Sequence, residues 1–252
     1  MVTQAGDFDY DRLGGGYSAR RRADSRIAAV IHAALGPART VLNVGAGAGS
    51  YEPSDRYVIA VEPSVTMRQQ RPPDRVPAVR GTAEALPFDD AAFDASMATL
   101  TVHQWSDRDA GLAEMRRVTR GPVVLLTFDP DALHRFWLFD HAPELLERER
   151  MRFPTIAMLA AALGRTVEVH HVRIPLDCTD GFAEAFYGRP EAFLDSAVRA
   201  AQSGWGFLEP HVETRIVQSL ARDLAGGAWD RRHGELRTQP SFDGAVRVLV
   251  SS

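Results

Sequence analysis

Five small residues, Gly45-Ala46-Gly47-Ala48-Gly49, follow directly on the apolar stretch Val41-Leu42-Asn43-Val44, and Glu62 stands 17 positions after Gly45. Glycines at such a turn let the backbone double back sharply and let a ligand lie against it with no Cβ in the way. A carboxylate at the tip of the next strand can accept two hydrogen bonds from ribose hydroxyls. Strand, glycine turn and carboxylate at this spacing point to a nucleoside-binding crevice rather than a plain strand-to-helix connection. The dinucleotide fingerprint G-x-G-x-x-G is not met: the third glycine comes one position early, and Ser50 stands where the last glycine belongs. The segment 50–56 contains Pro53 and is too short for a full crossover helix. It therefore offers a poor seat for a pyrophosphate, which needs a helix N-terminus. That disfavours a nicotinamide enzyme and matters less for a phosphate-free ligand such as S-adenosylmethionine (SAM).

The elements that must position these residues are readable from periodicity. Strands are expected over 40–44, 57–62, 76–80, 93–98, 123–128, 166–174 and 245–250. The first five are nearly continuous apolar runs, as in strands buried on both faces of a parallel sheet. Helical spacing places Ile27, Val30, Ile31 and Ala34 on one face over 25–35, and Leu112, Met115 and Val118 on one face over 107–118; a third helix is expected over 154–163. Strands alternating with helices define an α/β fold. Two stretches break the alternation: 129–153, with Phe136, Trp137, Phe139 and His141, and 177–240, mostly helical with glycine breaks at 188, 204–206 and 226–227. Insertions after strand C-termini lie beside the ligand crevice, so both are expected to be lids. The chain then divides into an N-terminal helical cap (1–36), a nucleoside-binding core (37–128), a lid (129–153), a core helix and strand (154–176), a second helical insertion (177–240) and a C-terminal strand (241–252).

Four motifs in order resemble class I SAM-dependent methyltransferases. They are the stretch 41–52; Val61-Glu62-Pro63-Ser64 with Met67; Gly81-Thr82-Ala83-Glu84-Ala85-Leu86-Pro87-Phe88 with Phe93-Asp94; and Val102-His103-Gln104-Trp105 with Glu114-Met115-Arg116-Arg117-Val118. The likeness is to the small-molecule branch related to ubiquinone/menaquinone and trans-aconitate methyltransferases, and it covers about residues 10–128. It implies a Rossmann-like seven-stranded sheet of order 3-2-1-4-5-7-6, strand seven antiparallel, with helical lid insertions after strands five and six. It also implies SAM as methyl donor and S-adenosylhomocysteine (SAH) as product. By the same resemblance Gly45, Ala46 and Gly47 run beside the methionyl part of SAM, Glu62 binds the ribose, and Pro63, Ser64 and Met67 flank ribose and adenine. Thr82, Ala83 and Glu84 fall where adenine is held, and Leu100 and Thr101 near the sulfonium. Tyr17, with Arg22 of the Arg20-Arg21-Arg22 run, resembles a segment that closes over SAM. Three departures stand out: Asn43 replaces the usual acidic residue, Thr82 replaces a common aspartate, and the first crossover helix is nearly deleted.

His103 sits where acceptor and methyl donor should meet, and an imidazole suits a general base there; the alternative is a packed pocket wall. Trp105 reads as core or pocket wall rather than a cation–π partner. Phe136, Trp137, Phe139, Phe186, Tyr187, Trp205 and Phe207 either line an acceptor cavity or form apolar faces of lid helices. His141 and Glu144 share a helix face and could orient a polar acceptor. His170 and His171 point to opposite faces of a strand, and no metal is expected. Cys178, the single cysteine, reads as an inert buried thiol in a reducing compartment. The net charge is −4 and every basic residue is arginine. No basic stripe and no bilayer-length apolar run are present, so neither nucleic acid nor membrane is an expected partner, and a cytoplasmic location is expected. The expected function is methyl transfer from SAM to O, N or C of a small, partly apolar metabolite. The alternatives are a cyclase or hydrolase on the same scaffold and a non-catalytic SAM-binding module. Oligomeric state stays open.

Overall fold

Period-two alternation sends Val41 to one side of the sheet and Leu42 and Val44 to the other, and Val124 and Leu126 oppose Val123 and Leu125 in the same way. A computed structural model describes residues 8–15, 17–164 and 166–252, the side chains of Leu13 and Tyr17 excepted. Its main sheet has six strands, in the order β2-β1-β3-β4-β8-β5. These are β1 (Thr40–Val44), β2 (Tyr57–Val61), β3 (Ala95–Thr99), β4 (Val123–Phe128), β5 (Val167–His171) and β8 (Val246–Ser251). The short β6 (Ile174–Pro175) and β7 (Ser241–Phe242) pair separately. β1 through β4 pair in parallel, whereas β8 runs antiparallel between β4 and β5.

The expected seven-stranded order is not realised, because the run 76–80 forms no strand. Only Val79 makes a single parallel bridge, to Val61. The cause is local: Pro77 has no N–H to donate, and the Val76 carbonyl is taken by Arg71 at 3.1 and 2.8 Å. Val76 and Val79 consequently remain exposed at the sheet edge.

Helix Ser25–Ala34 buries Ile27 and Ile31 on one face of the sheet; Arg108–Val118 and Ile156–Leu163 bury Leu112, Met115, Val118, Leu159 and Leu163 on the other. Asp24, Asp107 and Thr155 each cap a helix by accepting a backbone N–H, from Arg26, Ala110 and Met158. Gly164 closes the Ile156–Leu163 helix in the left-handed conformation, φ +65°. No helix forms between β1 and β2. Tyr51 takes that place: its side chain is buried, and its carbonyl oxygen lies 2.9 Å from His32 Nε2. Helices and turns of 129–153 and 177–240 meet Leu100 and Phe128, at the ends of β3 and β4, and their aromatic residues extend one core cluster outward from the sheet.

Candidate active site

The glycine turn is held against β2 by two N–H groups, Gly45 and Ala46, which both donate to the Val61 carbonyl at 2.9 and 3.0 Å. Gly45 and Gly47 adopt φ +67° and +52°, the left-handed region that favours glycine. A Cβ on Gly45 would strike the Thr101 side chain, and one on Gly47 would meet Met67 Cε at 3.3 Å. Glu62 is buried at the tip of β2. Its Oε2 accepts from Gly47 N–H at 2.7 Å and its Oε1 from Ser64 N–H at 2.8 Å. Burial raises its pKa above the usual carboxylate value, against the lowering effect of these two donors. Each oxygen retains a lone pair for a hydroxyl donor. Ser64 Oγ donates to Asp11 at 2.6 Å, and Gln70 holds the Gly14 carbonyl and the Ser18 N–H, so the N-terminal segment is seated directly on helix Val65–Gln69.

Behind the turn lies a buried polar network. Asn43 Nδ2 donates to Glu52 Oε1 at 2.9 Å, and Arg71 grips both Glu52 oxygens at 3.0 and 2.9 Å. Arg71 and Glu52 side chains are only 4% and 2% exposed, which makes this a desolvated bidentate pair. The carboxylate that the resemblance placed at position 43 thus arrives from Glu52, and Asn43 supplies the donor it needs. Asn43 Oδ1 is buried with no partner among the described residues. Asn43→Asp would set two carboxylates against each other. It should lower stability by about 2–3 kcal/mol at neutral pH, with the loss relieved as pH falls and the new acid, its pKa raised by Glu52, takes up a proton. Urea unfolding at pH 5 and pH 7.5 checks the sign: an equal loss at both would contradict it.

On the next segment Thr82 is exposed and Ala83 buried. Glu84 accepts from Ser106 Oγ at 2.8 Å and from Asp107 N–H at 3.2 Å. Burial would raise its pKa, but these hydrogen bonds outweigh it and hold the group below the usual range. At the end of β3, Leu100 adopts φ +53°, a conformation that costs a leucine of order 1–3 kcal/mol. This bend turns Thr101 onto Gly45 and Leu100 into the wall of a cavity.

That cavity encloses about 670 Å³, counting the space open to solvent at its mouth. Phe128, Phe139, Phe153, Phe182 and Trp205 form its apolar walls, and His103, Gln104, Tyr10, Arg21, Glu149, Glu184 and Gln202 its polar points. His103 packs on Phe153 with ring centroids 4.2 Å apart. Burial, together with the Arg152 and Arg21 charges, pushes its pKa well below the ordinary imidazole value, so the ring is neutral at pH 7. Glu184 is buried, its two oxygens sharing the Ala245 N–H at 2.9 and 3.0 Å, and burial pushes its pKa up to about 8. Its folded pKa exceeds the unfolded one, so its contribution to stability is present below about pH 4.5 and is lost as pH rises through about 8. Glu184→Gln should therefore flatten the decline in urea midpoint between pH 5 and 9; an unchanged slope would refute this. Arg21, not Arg22, reaches the cavity: it pairs with buried Asp180 at 2.6 Å, which also accepts from Tyr51 Oη at 2.8 Å. Arg20 pairs with Asp195 and Arg22 is exposed. The Tyr17 side chain lies outside the described residues.

The remaining candidates separate cleanly. Phe136, Trp137 and Tyr187 are fully or nearly fully buried core, and Phe186 packs edge-on against Phe193; Phe139 and Trp205 line the cavity. Phe207 lies under the guanidinium groups of Arg148 and Arg152. His141 is buried against Trp137 and Ser219, while Glu144 pairs with Arg215. Trp105 fits over Gly111, where any side chain would collide with it. Cys178 is buried, its thiol pushed up to about 12, and His170 and His171 are exposed. Among the described residues no group of three or more His, Cys, Asp or Glu could hold a metal, and no helix is long and apolar enough to cross a membrane. Phe128, Phe153, Phe182 and Glu184 join the cavity without a motif to announce them.

A family model described as a methyltransferase domain matches residues 42–126. A solved structure from Anabaena variabilis, described as a methyltransferase from an antibiotic biosynthesis pathway, is 33% identical, covers 92% of this chain and 98% of its own, and superposes with a TM-score of 0.84. The chain belongs to the class I SAM-dependent methyltransferases. A SAM-dependent methyltransferase from Thermotoga maritima, 16% identical with a TM-score of 0.59 over 96% of this chain and 97% of its own, shares the fold. A demethylmenaquinone methyltransferase of Mycolicibacterium gilvum is 39% identical over 100 residues, 37% of this chain and 44% of the relative. The match thus spans less than half the length of that relative.

Proposed function

We propose that the chain transfers the methyl group of SAM to an oxygen, nitrogen or carbon of a small, partly apolar metabolite and leaves SAH. One observation carries this reading: the strained turn at Leu100–Thr101 joins the two halves of a site, Thr101 against the glycine turn and Leu100 in the wall of the aromatic cavity. The cradle fits SAM, since the two left-handed glycines leave room for a chain alongside them and Glu62 keeps lone pairs for ribose hydroxyls. Gly45, Ala46 and Gly47 are assigned to the methionyl part, Glu62 to the ribose, and Pro63, Ser64 and Met67 to its flanks. Thr82, Ala83 and Glu84 are assigned to adenine, Leu100 and Thr101 to the methyl end, and Tyr17 to the covering segment, with Arg21 in the place expected of Arg22.

Bound SAM supplies a methyl carbon made electrophilic by the adjoining sulfonium. The chain contributes alignment and exclusion of water. The aromatic walls hold the acceptor so that its nucleophilic atom faces the Leu100 turn, which removes most of the orientational cost of the encounter. Neutral His103 accepts the Gln104 amide N–H at its Nε2, 3.3 Å away, and a nucleophile that carries a proton displaces that amide to deliver it there; its depressed pKa makes it a weak base, suited to an acidic hydroxyl. The lid segments 129–153 and 177–240 supply the acceptor walls. A cytoplasmic location, a small-molecule partner and no nucleic-acid partner accompany this reading, in keeping with the net charge of −4. Incubation with methyl-labelled SAM and a panel of small phenols, amines and activated carbon acids tests it. Label in product with equimolar SAH is expected; turnover of a substrate without SAH release would favour a cyclase or hydrolase instead.

A further inference from the structure

The two edges of the main sheet are finished differently. At the β2 edge the chain lays Val79 against Val61 and covers part of the strand. At the other edge β5 pairs with β8 in unbroken register from Val167 to His171, and among the described residues nothing pairs with its outer side. The Val172 N–H donates to the Val246 carbonyl at 3.1 Å. By the alternation of an antiparallel ladder, His170 and Glu168 also bond to β8. The N–H and C=O groups of Val167, Val169 and His171 therefore point to the open edge. Such an edge is normally blunted by lysine, proline or a bulge, and β5 has none of these.

The neighbouring helix adds a second observation. Ile156–Leu163 carries only apolar side chains, yet Ala157, Met158 and Ala161 are exposed. A helix apolar on all sides is normally covered on all sides. Leu159 and Leu163 share a core cluster with Val167, so this helix and the face of β5 that holds Val167 and Val169 lie on one side of the sheet. On the opposite face of β5 stand Glu168 and His170, both exposed, 3.7 Å apart.

We propose that β5 pairs antiparallel with β5 of a second copy of this chain, about a two-fold axis at Val169, joining two six-stranded sheets into one. In that register Val169 faces its own counterpart and Val167 faces the second copy's His171, so the outward backbone groups exchange hydrogen bonds across the axis. Glu168 falls opposite the second copy's His170, in the positions where cross-strand side chains approach most closely. A carboxylate thus meets an imidazole on both sides of the axis, the self-complementarity that a two-fold contact requires. Moving the axis to Glu168 would set two carboxylates against each other, which fixes the register. The proposal does not depend on the methyl-transfer reading.

Sedimentation velocity over the micromolar range tests it, and a dimer of twice the 27.7 kDa chain mass is expected. Val169→Pro removes the donor at the axis without touching a bond to β8, and His170→Glu sets like charges opposite each other. Each should weaken the dimer about tenfold or more. Adding Glu168→Lys to His170→Glu restores opposite charges with the signs exchanged, and should return the dimer to within about threefold of the parent. Both charge positions are exposed, so thermal melts of these variants should match the parent even if Val169→Pro melts early. A monomer throughout the range, a dimer unmoved by His170→Glu, or no recovery in the double variant overturns the proposal.

Discussion

Gly45→Ala should bind SAH at least about 100-fold more weakly than the parent chain, a loss of roughly 3 kcal/mol. Two costs add. Alanine at φ +67° is strained by about 1–2 kcal/mol, and its methyl group would run into Thr101 Oγ1 and Cγ2. Thr101 cannot retreat easily, because Leu100 beside it already holds φ +53° and its N–H is tied to the Leu126 carbonyl at 2.8 Å. Displacing Thr101 would therefore disturb the turn on which both halves of the site meet. Adding Thr101→Gly should restore part of the affinity by removing the collision and leaving only the backbone strain. A Gly45→Ala chain within about threefold of the parent would mean that SAH does not lie against this turn.

Glu62→Gln should weaken SAH binding by about 30- to 150-fold, the equivalent of roughly 2–3 kcal/mol for a charged hydrogen-bonding group. Both carboxylate oxygens accept backbone N–H groups, from Gly47 and Ser64. An amide can satisfy only one of them and turns its own N–H₂ toward the other. The substitution thus loses the negative acceptor for the ribose and also loosens the turn that shapes the cradle. The parent chain should show a related pH effect. Burial raises the Glu62 pKa, so affinity should fall in mildly acidic solution as the group takes up a proton, and Glu62→Gln should lose that dependence. Calorimetry from pH 5 to 7.5 reads both effects. Equal affinity in parent and variant would remove Glu62 from the ribose site.

The cradle was legible in the sequence because it is local. Gly45, Gly47 and Glu62 lie within 18 consecutive residues, and a strand, a turn and a strand end fix their relative positions. The strands of the sheet centre were legible for a related reason: Val41–Val44 and Val123–Leu126 bury both faces, so their runs are apolar save for Asn43. The run 76–80 had the same apolar look, but Pro77 and the grip of Arg71 on the Val76 carbonyl kept it from the sheet. The cavity was far less legible. Phe153, Phe182, Glu184 and Gln202 come from separate lid segments whose packing depends on long-range contacts, and no spacing rule links them. Arg21 and Arg22 were indistinguishable in sequence; Asp180, 159 positions away from Arg21, selects the first. The role of Asn43 was hidden likewise, since its carboxylate partner Glu52 sits in the stretch that replaces the crossover helix.

Calorimetric titration of the wild-type chain with SAM and, separately, SAH tests the central claim most directly. One site per chain with affinity in the micromolar range is expected for both, the order usual for a cosubstrate, with no heat from NAD. Binding of NAD with none of SAM or SAH would contradict it.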